Sequence, residues 1–535
     1  MKKTLLVSIL LTMVINSYAQ EDAWVYLKDK QNVEQAIANP LTILTQRAID
    51  RKSDHGIPID ARDVPVNEAR ISEIKAQPGI QVWAKSKWFN AIHVRGSEAD
   101  ITNLLSLEFV ERVEFANRDL DSNSRSQQPK DKFRLEDILT DFNYGSTANQ
   151  VEMIAADRLH RDDYTGEGIL IAVMDSGFPE VNTMQAFSRA RANNDILGGY
   201  DFQRRTDDVY GYTGSAHGTW VLSDMAGFIE DQFVGTAPDA SYVLYRTEVD
   251  EFENPVEESY WVEAAERADS LGVDIINTSL GYKAYDNSNY SYSDSELDGK
   301  TAFITRGASI ASEKGMLVVT SAGNSGTGGV GAPADSELVF SIGAVDANEQ
   351  YVSFSSRGNS FQPSIKPDVS ARGGATFVVN TNGDIINLNG TSFSSPVMTG
   401  GMACLMQALP DASVEELKEL VRNTASQSAN PDFLLGYGIP NLALALERAI
   451  GDDEDEDNIE EFRLYPNPVR DELFIELPDD TLNTSFEVYD ILGKLILEST
   501  LSENENRIDT SFWSQGLYLL KLNGSINQTF KLIKS

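Results

Sequence analysis

The sequence predicts an α/β protein built around a parallel sheet flanked by helices, with a small α+β unit before it and a small β-sandwich after it. Apolar strand-like runs alternate with helical segments from about residue 151 onwards, which is typical of a parallel sheet. Residues 21–120 mix short alternating strands with amphipathic stretches, which indicates a separate α+β unit. The last 75 or so residues contain five short strand-like runs and turn residues, which predicts the sandwich.

Composition limits the classes of partner. The chain has 535 residues, of which 41% are hydrophobic, so it can bury a substantial core. Its 82 acidic and 44 basic residues give a net charge of −38, which argues against nucleic acid or anionic membranes as partners. The single cysteine, Cys404, cannot form an internal disulfide, and its apolar neighbours indicate a small buried side chain.

The N-terminus has the three parts of a secretory signal peptide. Lys2 and Lys3 precede an apolar run at 5–15, and small residues end at Ala19. We expect residues 1–19 to be removed. No later segment reaches the roughly eighteen apolar residues that a membrane helix needs, so we expect an exported protein without a transmembrane segment.

The N-terminal unit is expected to be followed by a polar linker. Strands are predicted at 24–27, 81–83, 90–94 and 110–115, and helices at 69–76 and 98–107. Residues 117–150 are polar and have no sustained period, which predicts a linker. His55 and His93 are interpreted as structural residues. We assign residues 20–145 to this unit with its linker.

Polar or small residues follow each predicted strand of the central sheet. The apolar run at 169–174 stops at Asp175, and the next strands end at Ser279-Leu280-Gly281 and at Ala322-Gly323-Asn324. His217 begins a short helix that Gly227 can end. Open α/β sheets place their sites at the carboxyl ends of the strands, so these residues are expected to meet there.

A glycine and small hydroxyl residues at 390–395 come before a long apolar run that contains Cys404. This pattern predicts a loop that enters a buried helix, with Pro396 in the first turn and Ser392 at the N-terminus. The helix dipole and unpaired N–H groups can stabilise an anion there, which makes Ser392 a candidate nucleophile. The alternative is an ordinary helix cap.

Asp175, His217 and Ser392 occur in that order, with gaps of 42 and 175 residues. The set suffices for acyl transfer, because an imidazole can take the serine proton while a buried carboxylate fixes its tautomer. The Asn324 amide can donate to the oxyanion beside the Ser392 N–H.

At these positions the sequence resembles the subtilisin-like serine peptidases. The resemblance rests on AVMDSG at 172–177, HGTWV at 217–221, GTSFSSP at 390–396, VGTAP at 234–238, NTSLG at 277–281, AGN at 322–324 and VSFSSRG at 352–358. Trp220, Phe393 and Ser394 depart from the commonest family pattern. The resemblance implies a subtilisin-like sheet and a peptidase domain at 146–450. It also implies a secreted serine endopeptidase with Asp175, His217 and Ser392 as triad and Asn324 in the oxyanion hole.

The same resemblance implies how the enzyme is made and how it holds substrate. Residues 20–145 look like a propeptide and linker of a zymogen, which is cut within the linker. Ser279, Leu280 and Gly281 would pair with an extended peptide as an added strand, and Ala322 and Gly323 would line the first specificity pocket. Gly331, at the pocket floor, would leave room for a large apolar side chain.

No cofactor is required for this chemistry, although family members often bind structural calcium. The candidate oxygen ligands are acidic residues whose spacing matches no recognised calcium loop: Asp195, Asp201, Asp207 and Asp208.

The C-terminal part begins with an acidic run at 452–457, which lacks the spaced ligands of a calcium loop and predicts a linker at 451–461. Residues 462–535, with YPNP at 465–468 and VYDILG at 488–493, resemble the type A sorting domain of the type IX secretion system of Bacteroidota. This implies export through the periplasm and outer membrane by that machinery, then release or surface attachment. The alternative is a sandwich that binds carbohydrate or stiffens the chain.

Two other functions compete with proteolysis. A catalytically silent surface-binding protein can keep the same fold, but loss of a triad member would have favoured it and all three are present. An esterase or lipase is expected to have a Gly-x-Ser-x-Gly motif, but in this sequence Ser394 occupies the position of the second glycine. The sequence therefore favours an endopeptidase that acts on proteins or peptides.

Overall fold

The computed structural model describes residues 20–120, 145–451, 463–465, 469–470, 472–476, 485–490, 494–501, 505–523 and 528–534. Contacts divide the chain into two units, Met1–Ala449 and Ile450–Ser535. The signal peptide, most of the first linker and nearly all of the acidic linker lie outside the described residues. The boundaries of the signal peptide and of the acidic linker stay predictions.

The N-terminal unit is a four-stranded antiparallel sheet with helices. Its elements are β1 (Gln20–Leu27), α1 (Val33–Ala38), α2 (Gln46–Asp54), α3 (Glu68–Lys75), β2 (Gln81–Ser86), β3 (Ala91–Ser97), α4 (Glu98–Asn103) and β4 (Val110–Phe115). The strand order is β2-β3-β1-β4. All four predicted strands and both predicted helices are present.

The structure adds two helices that the sequence analysis did not predict, α1 and α2, in the segment between β1 and α3. We call residues 28–66 the arm. Helix α1 buries no residue, and α2 buries Ala48, Arg51 and Lys52. Because two of these three side chains are charged, the arm shows no apolar period that predicts a helix.

The central sheet has seven parallel strands. They are β5 (Leu170–Asp175), β6 (Ile196–Asp201), β9 (Ser241–Arg246), β10 (Ile275–Thr278), β11 (Leu317–Ser321), β12 (Phe340–Val345) and β13 (Val369–Arg372). Their order is β13-β12-β11-β10-β5-β9-β6. All six residues of β5 are buried, as expected for a strand covered on both faces. Two small hairpins complete this part: β7 (Phe228–Ile229) with β8 (Phe233–Val234), and β14 (Thr376–Val379) with β15 (Ile385–Leu388).

Helices cover both faces of this sheet. They are α5 (Ala148–Glu152), α6 (Ala156–Arg161), α7 (Ser188–Ala192), α8 (His217–Ala226), α9 (Val256–Leu271), α10 (Phe303–Glu313), α11 (Thr391–Ala408), α12 (Val414–Asn423) and α13 (Leu442–Gly451). Helices α8 and α11 share a core with Ile171 and Val173, and α9 and α10 share another with Ala172 and Met174. Alternate residues of β5 therefore serve opposite faces. Of the helices in the described part of the chain, none is long and apolar enough to cross a membrane.

The linker prediction is wrong at its C-terminal end. Helix α5 begins at Ala148, and Gln150 is buried, where its amide donates to Asp224 and to the Phe377 carbonyl. The polar composition of this stretch predicted an exposed linker. Gln150 can nevertheless be buried in a helix, because residues distant in the sequence satisfy its side-chain hydrogen bonds.

Pro396 corrects a second expectation. Helix α11 begins at Thr391, so Pro396 is its sixth residue and lies in the second turn, not the first. Proline has no N–H to donate to the carbonyl of Ser392, four residues earlier. The Ser279 hydroxyl donates to that carbonyl instead, at 2.8 Å. A proline inside the helix is thus accommodated by a hydrogen bond from another strand end.

The C-terminal unit has two antiparallel sheets around one apolar core. One sheet has the order β16-β17-β20 and the other β19-β18-β21-β22, where the strands are β16 (Arg463–Tyr465), β17 (Glu472–Glu476), β18 (Ser485–Asp490), β19 (Leu495–Thr500), β20 (Glu505–Asp509), β21 (Gly516–Asn523) and β22 (Gln528–Lys534). Side chains of both sheets, such as Ile475 and Leu520, belong to the same core. The sequence analysis missed β16 and β20, which are short and polar.

Candidate active site

The three predicted triad residues lie at element ends on one edge of the central sheet. Asp175 is the last residue of β5, His217 is the first residue of α8, and Ser392 is the second residue of α11. Their exposed fractions are 0%, 4% and 5%, so water has little access to them. Charges in such a position interact strongly.

Asp175 and His217 form a buried hydrogen bond. His217 Nδ1 lies 2.8 Å from Asp175 Oδ1. The same carboxylate oxygen accepts the Ser176 N–H at 2.7 Å, which fixes the direction of the carboxylate. A Cβ on Gly218 would lie 2.9 Å from the Asp175 Cβ, so only glycine after the histidine lets α8 approach β5 this closely. The pair holds the imidazole with its Nδ1 proton towards the aspartate.

Ser392 is bound to the end of β10 in both directions. Its hydroxyl donates to the Ser279 carbonyl at 3.3 Å, and the Ser279 hydroxyl donates to the Ser392 carbonyl. The next side chain, Phe393, packs on the His217 ring with centroids 5.7 Å apart, and Trp220 meets the same ring at 6.5 Å. Two departures from the common family pattern therefore flank the histidine.

Asn324 is oriented by the residue before Ser392. The Thr391 N–H and hydroxyl both donate to Asn324 Oδ1 at 2.9 Å, which leaves Nδ2 as the donor. A Cβ on Gly390 would lie 3.6 Å from this Nδ2. The amide thus lies over the turn that enters α11, where the first backbone N–H groups of a helix lack intrahelical partners. The arrangement provides two kinds of donor for one anion.

The predicted substrate-binding segments follow neighbouring strands. Ser279, Leu280 and Gly281 come after β10, and Ala322 and Gly323 come after β11, which pairs with β10 in parallel. Ala322 is fully buried and packs in a small cluster with Val330 and Ala334. A Cβ on Gly331 would lie 3.3 Å from the Tyr282 carbonyl oxygen and 3.7 Å from the Gly281 carbonyl carbon. Gly331 therefore lies beside the 279–281 segment.

The four aspartates considered for calcium each have a separate partner: Asp195 accepts from Ser241, Asp201 from Arg246, Asp207 pairs with Arg267, and Asp208 accepts from the Gly211 N–H. Within the described ranges, no group of three or more His, Cys, Asp and Glu side chains is arranged to hold a metal ion. A calcium site stays a prediction that these residues do not support as a group.

Two side chains outside the triad meet near the Thr236 carbonyl. His160 Nε2 lies 3.0 Å from this oxygen, and burial lowers the pKa of His160. The Cys404 thiol is fully buried, donates to the same carbonyl, and has a pKa that burial raises, as expected for a small buried side chain.

Sequence reasoning missed one charged residue next to Asp175. Arg246 ends β9, is fully buried, and donates from Nε to the Ser176 carbonyl at 2.9 Å. The signal was available in the sequence, because an arginine ends the otherwise uncharged strand SYVLYR.

Comparison with known proteins agrees with this geometry. The subtilase family model (Peptidase S8) matches residues 166–438, which is just over half of the chain. A Peptidase S8 propeptide domain of Bacteroidota matches residues 22–132, and a secretion system C-terminal sorting domain matches residues 463–535. The sorting domain indicates secretion or attachment to the cell surface.

Individual relatives are similar over a little more than half of this chain. Subtilisin DY of Bacillus licheniformis is 29% identical over 302 residues, which cover 56% of this chain and 97% of that protein. Subtilisin E of Bacillus subtilis (strain 168) is 29% identical over 306 residues, or 56% of this chain and 70% of that protein. The solved MycP3 protease of the type VII (ESX-3) secretion system has a TM-score of 0.46 and 21% identity, covering 58% of this chain and 91% of that chain. On the strength of the family match, this chain belongs to the subtilases and is a subtilisin-like serine endopeptidase with a propeptide and a sorting domain.

Proposed function

We propose that the protein is a secreted zymogen whose mature form cleaves peptide bonds through Asp175, His217 and Ser392 and an acyl-enzyme intermediate. The observation that carries this proposal is the buried Asp175–His217 hydrogen bond of 2.8 Å, with the N-terminal turn of α11 packed against the histidine ring. The type IX machinery would export the chain. The propeptide would inhibit the protease domain until it is cleaved off.

In the acylation step, His217 Nε2 takes the Ser392 hydroxyl proton while Oγ forms a bond to the peptide carbonyl carbon. The carbonyl electron pair moves onto oxygen, and this oxyanion receives the Ser392 N–H and the Asn324 amide. Asp175 stabilises the imidazolium. His217 then donates the proton to the peptide nitrogen, the carbon–nitrogen bond breaks, and the amine leaves with Ser392 acylated.

Deacylation repeats these roles with water as the nucleophile. His217 takes a water proton as the water oxygen attacks the ester carbon, and it returns the proton to Ser392 Oγ as the carboxylic acid leaves. Residues 279–281 would hold the peptide as an added strand on one side of the cleft.

The proposed position of Gly331 at the floor of the first specificity pocket leads to a prediction about substrate preference. We expect wild type to prefer large apolar residues before the scissile bond. Gly331→Val should lower kcat/KM for phenylalanine or leucine there by about tenfold relative to alanine, because its side chain would fill the space beside Gly281. Peptide-library cleavage measures this change. A strict wild-type preference for a charged residue, or an equal loss for all residues, would contradict it.

The propeptide contacts α9 and α10, on the opposite face of the sheet from α8. Trp24 stacks on Phe303 with ring centroids 4.4 Å apart, and its indole donates to Ser259. His93 bonds to Ser259 and Asp22 at this face, so it is structural as expected. These contacts support the proposal that the N-terminal unit binds its own protease domain tightly.

Glu266 on α9 accepts three hydrogen bonds from the end of β2 and the turn after it: from the Ser86 hydroxyl at 2.5 Å and from the Lys87 and Trp88 N–H groups at 2.9 and 3.0 Å. Burial under the propeptide raises the pKa of Glu266 to about 7. The docked complex therefore binds this proton more tightly than a water-exposed glutamate does, whose ordinary pKa is about 4.3.

Propeptide binding should consequently weaken as pH rises from about 4.3 through 7, because the complex holds more protons in this window. In a Ser392→Ala zymogen nicked within the linker, we expect the N-terminal fragment to dissociate at least about tenfold faster at pH 8 than at pH 5. Size-exclusion chromatography measures the release. Glu266→Gln should remove most of the difference, and an unchanged difference would contradict this role.

Paired expression of wild type and Ser392→Ala tests the proposed function. We expect the intact mass of wild type to show loss of the region before about residue 145, while the variant stays full length. If both stay full length, the linker is cut by an added protease and peptide hydrolysis is measured. A trimmed, folded wild type without hydrolysis would contradict the proposal and favour the surface-binding alternative.

A further inference from the structure

Arg246 connects the ends of two strands next to Asp175. It is the last residue of β9, where it pairs in register with Asp175 on β5 and with Asp201 on β6. Its side chain is fully buried. Nε donates to the Ser176 carbonyl at 2.9 Å, and Nη1 donates to both Asp201 carboxylate oxygens at 3.1 and 3.2 Å. One guanidinium therefore binds two different strand ends.

The hydrogen bond from Arg246 to Ser176 is linked through Ser176 to the carboxylate of Asp175. Ser176 is the residue whose N–H donates to Asp175 Oδ1 at 2.7 Å. A donor on the Ser176 carbonyl fixes the turn that carries this N–H. The Thr247 N–H also donates to the Asp175 carbonyl oxygen, at 3.1 Å. The end of β9 thus holds the backbone of Asp175 and the turn that follows it.

The other face of Arg246 meets the loop before His217. The Arg246 Cζ lies 3.5 Å from the centroid of the Tyr212 ring, which is a cation–π contact. In the same loop, Ser215 Oγ lies 2.7 Å from Ser176 Oγ and accepts the His217 N–H at 3.3 Å. The loop that leads into His217 therefore packs on the turn after Asp175, with the guanidinium between Tyr212 and Ser176.

A lysine cannot perform these tasks together, because its ammonium lacks the planar fork that binds two acceptors and stacks on a ring. We propose that Arg246 is a positioning residue of the triad, which sets the direction of the Asp175 carboxylate and the approach of His217 through Ser176 and Tyr212. The inference rests on the proposed function of the triad. It concerns a residue that touches neither the substrate nor the reacting atoms.

The test compares Arg246→Lys with a matched control, Arg422→Lys. Arg422 donates from Nε and Nη2 to the buried Asp368 at 3.2 and 2.7 Å, next to β13 at the opposite edge of the sheet from β6. Full-length chains are matured by a tagged protease that is then removed. We expect Arg246→Lys to lower kcat about tenfold with KM within about twofold, as small displacements of catalytic groups do. Arg422→Lys should keep kcat within about twofold.

A double-substitution cycle separates positioning from a general structural effect. In an Asp175→Asn background, Arg246→Lys should lower the residual kcat by less than about twofold. An equal loss in both backgrounds, or an unchanged kcat in wild-type background, overturns the inference. If Arg246→Lys does not fold, Tyr212→Leu replaces it with the same expected pattern. A wild type without hydrolysis would instead contradict the proposed function itself.

Discussion

Asp175→Asn is expected to lower kcat by about 10⁴-fold and to change KM only slightly. The physical reason is the tautomer of His217. The carboxylate accepts the Nδ1 proton at 2.8 Å, whereas an asparagine amide can donate there and would leave the other nitrogen protonated. That nitrogen can then no longer take the Ser392 proton. Steady-state kinetics on a peptide substrate, after maturation by an added protease, measures the change.

Asp224→Asn is the matched control for this substitution. Asp224 lies seven residues after His217 in α8, is fully buried, and accepts from the Gln150 amide. Burial raises the pKa of Asp224 well above its ordinary value, because desolvation disfavours the charged carboxylate. Asparagine has nearly the same shape and fits the same buried position. We expect unchanged kcat for this variant. Equal activity of Asp175→Asn and wild type would contradict the triad.

The second large effect concerns the arm of the propeptide. Arg51 and Lys52 on α2 bind the same oxygen of Asp269 on α9, at 2.6 and 2.7 Å, and all three side chains are at most 5% exposed. Asp269→Ala would leave two buried cations short of a partner, which costs about 3–5 kcal/mol. In the nicked Ser392→Ala zymogen, the cleaved propeptide should therefore be bound about 10²-fold to 4 × 10³-fold more weakly.

Glu313→Gln provides the control at the same interface. Its partner Arg62 also belongs to the arm, but the two side chains are 49% and 37% exposed, so losing this pair should cost less than about 1 kcal/mol. Competition with labelled propeptide fragment measures both affinities. If Asp269→Ala binds the fragment as tightly as Glu313→Gln does, the buried ion pairs of Asp269 with the arm do not contribute to propeptide affinity.

The sequence analysis predicted that the candidate site residues lie at strand and helix ends, because those ends follow local patterns. Asp175 ends an uninterrupted apolar run, and Ser392 precedes a long one, so strand and helix ends alone bring them to one edge of the sheet. The structure places both at those ends and joins Asp175 to His217. Parallel strands are recognisable in this way because both faces must be apolar.

The missed features depend on contacts between distant residues. Arg51 is separated from Asp269 by 218 positions, and Pro396 is tolerated in α11 because Ser279 serves the Ser392 carbonyl. Neither relation has a period or a local signal. In the sequence, the charged residues of the arm look like those of an exposed polar helix, because a sequence does not show which ion pairs are buried.

The most direct test of the central claim is labelling with a fluorophosphonate, followed by peptide mapping to locate the modified residue. Matured wild type should carry the label on Ser392, and Ser392→Ala should carry none. Ser394→Ala is the matched control, because Ser394 is fully buried on the same helix and donates only to the Thr391 carbonyl, so it should label as wild type does. Label on another residue, or none on folded and matured wild type, would contradict Ser392 as the nucleophile.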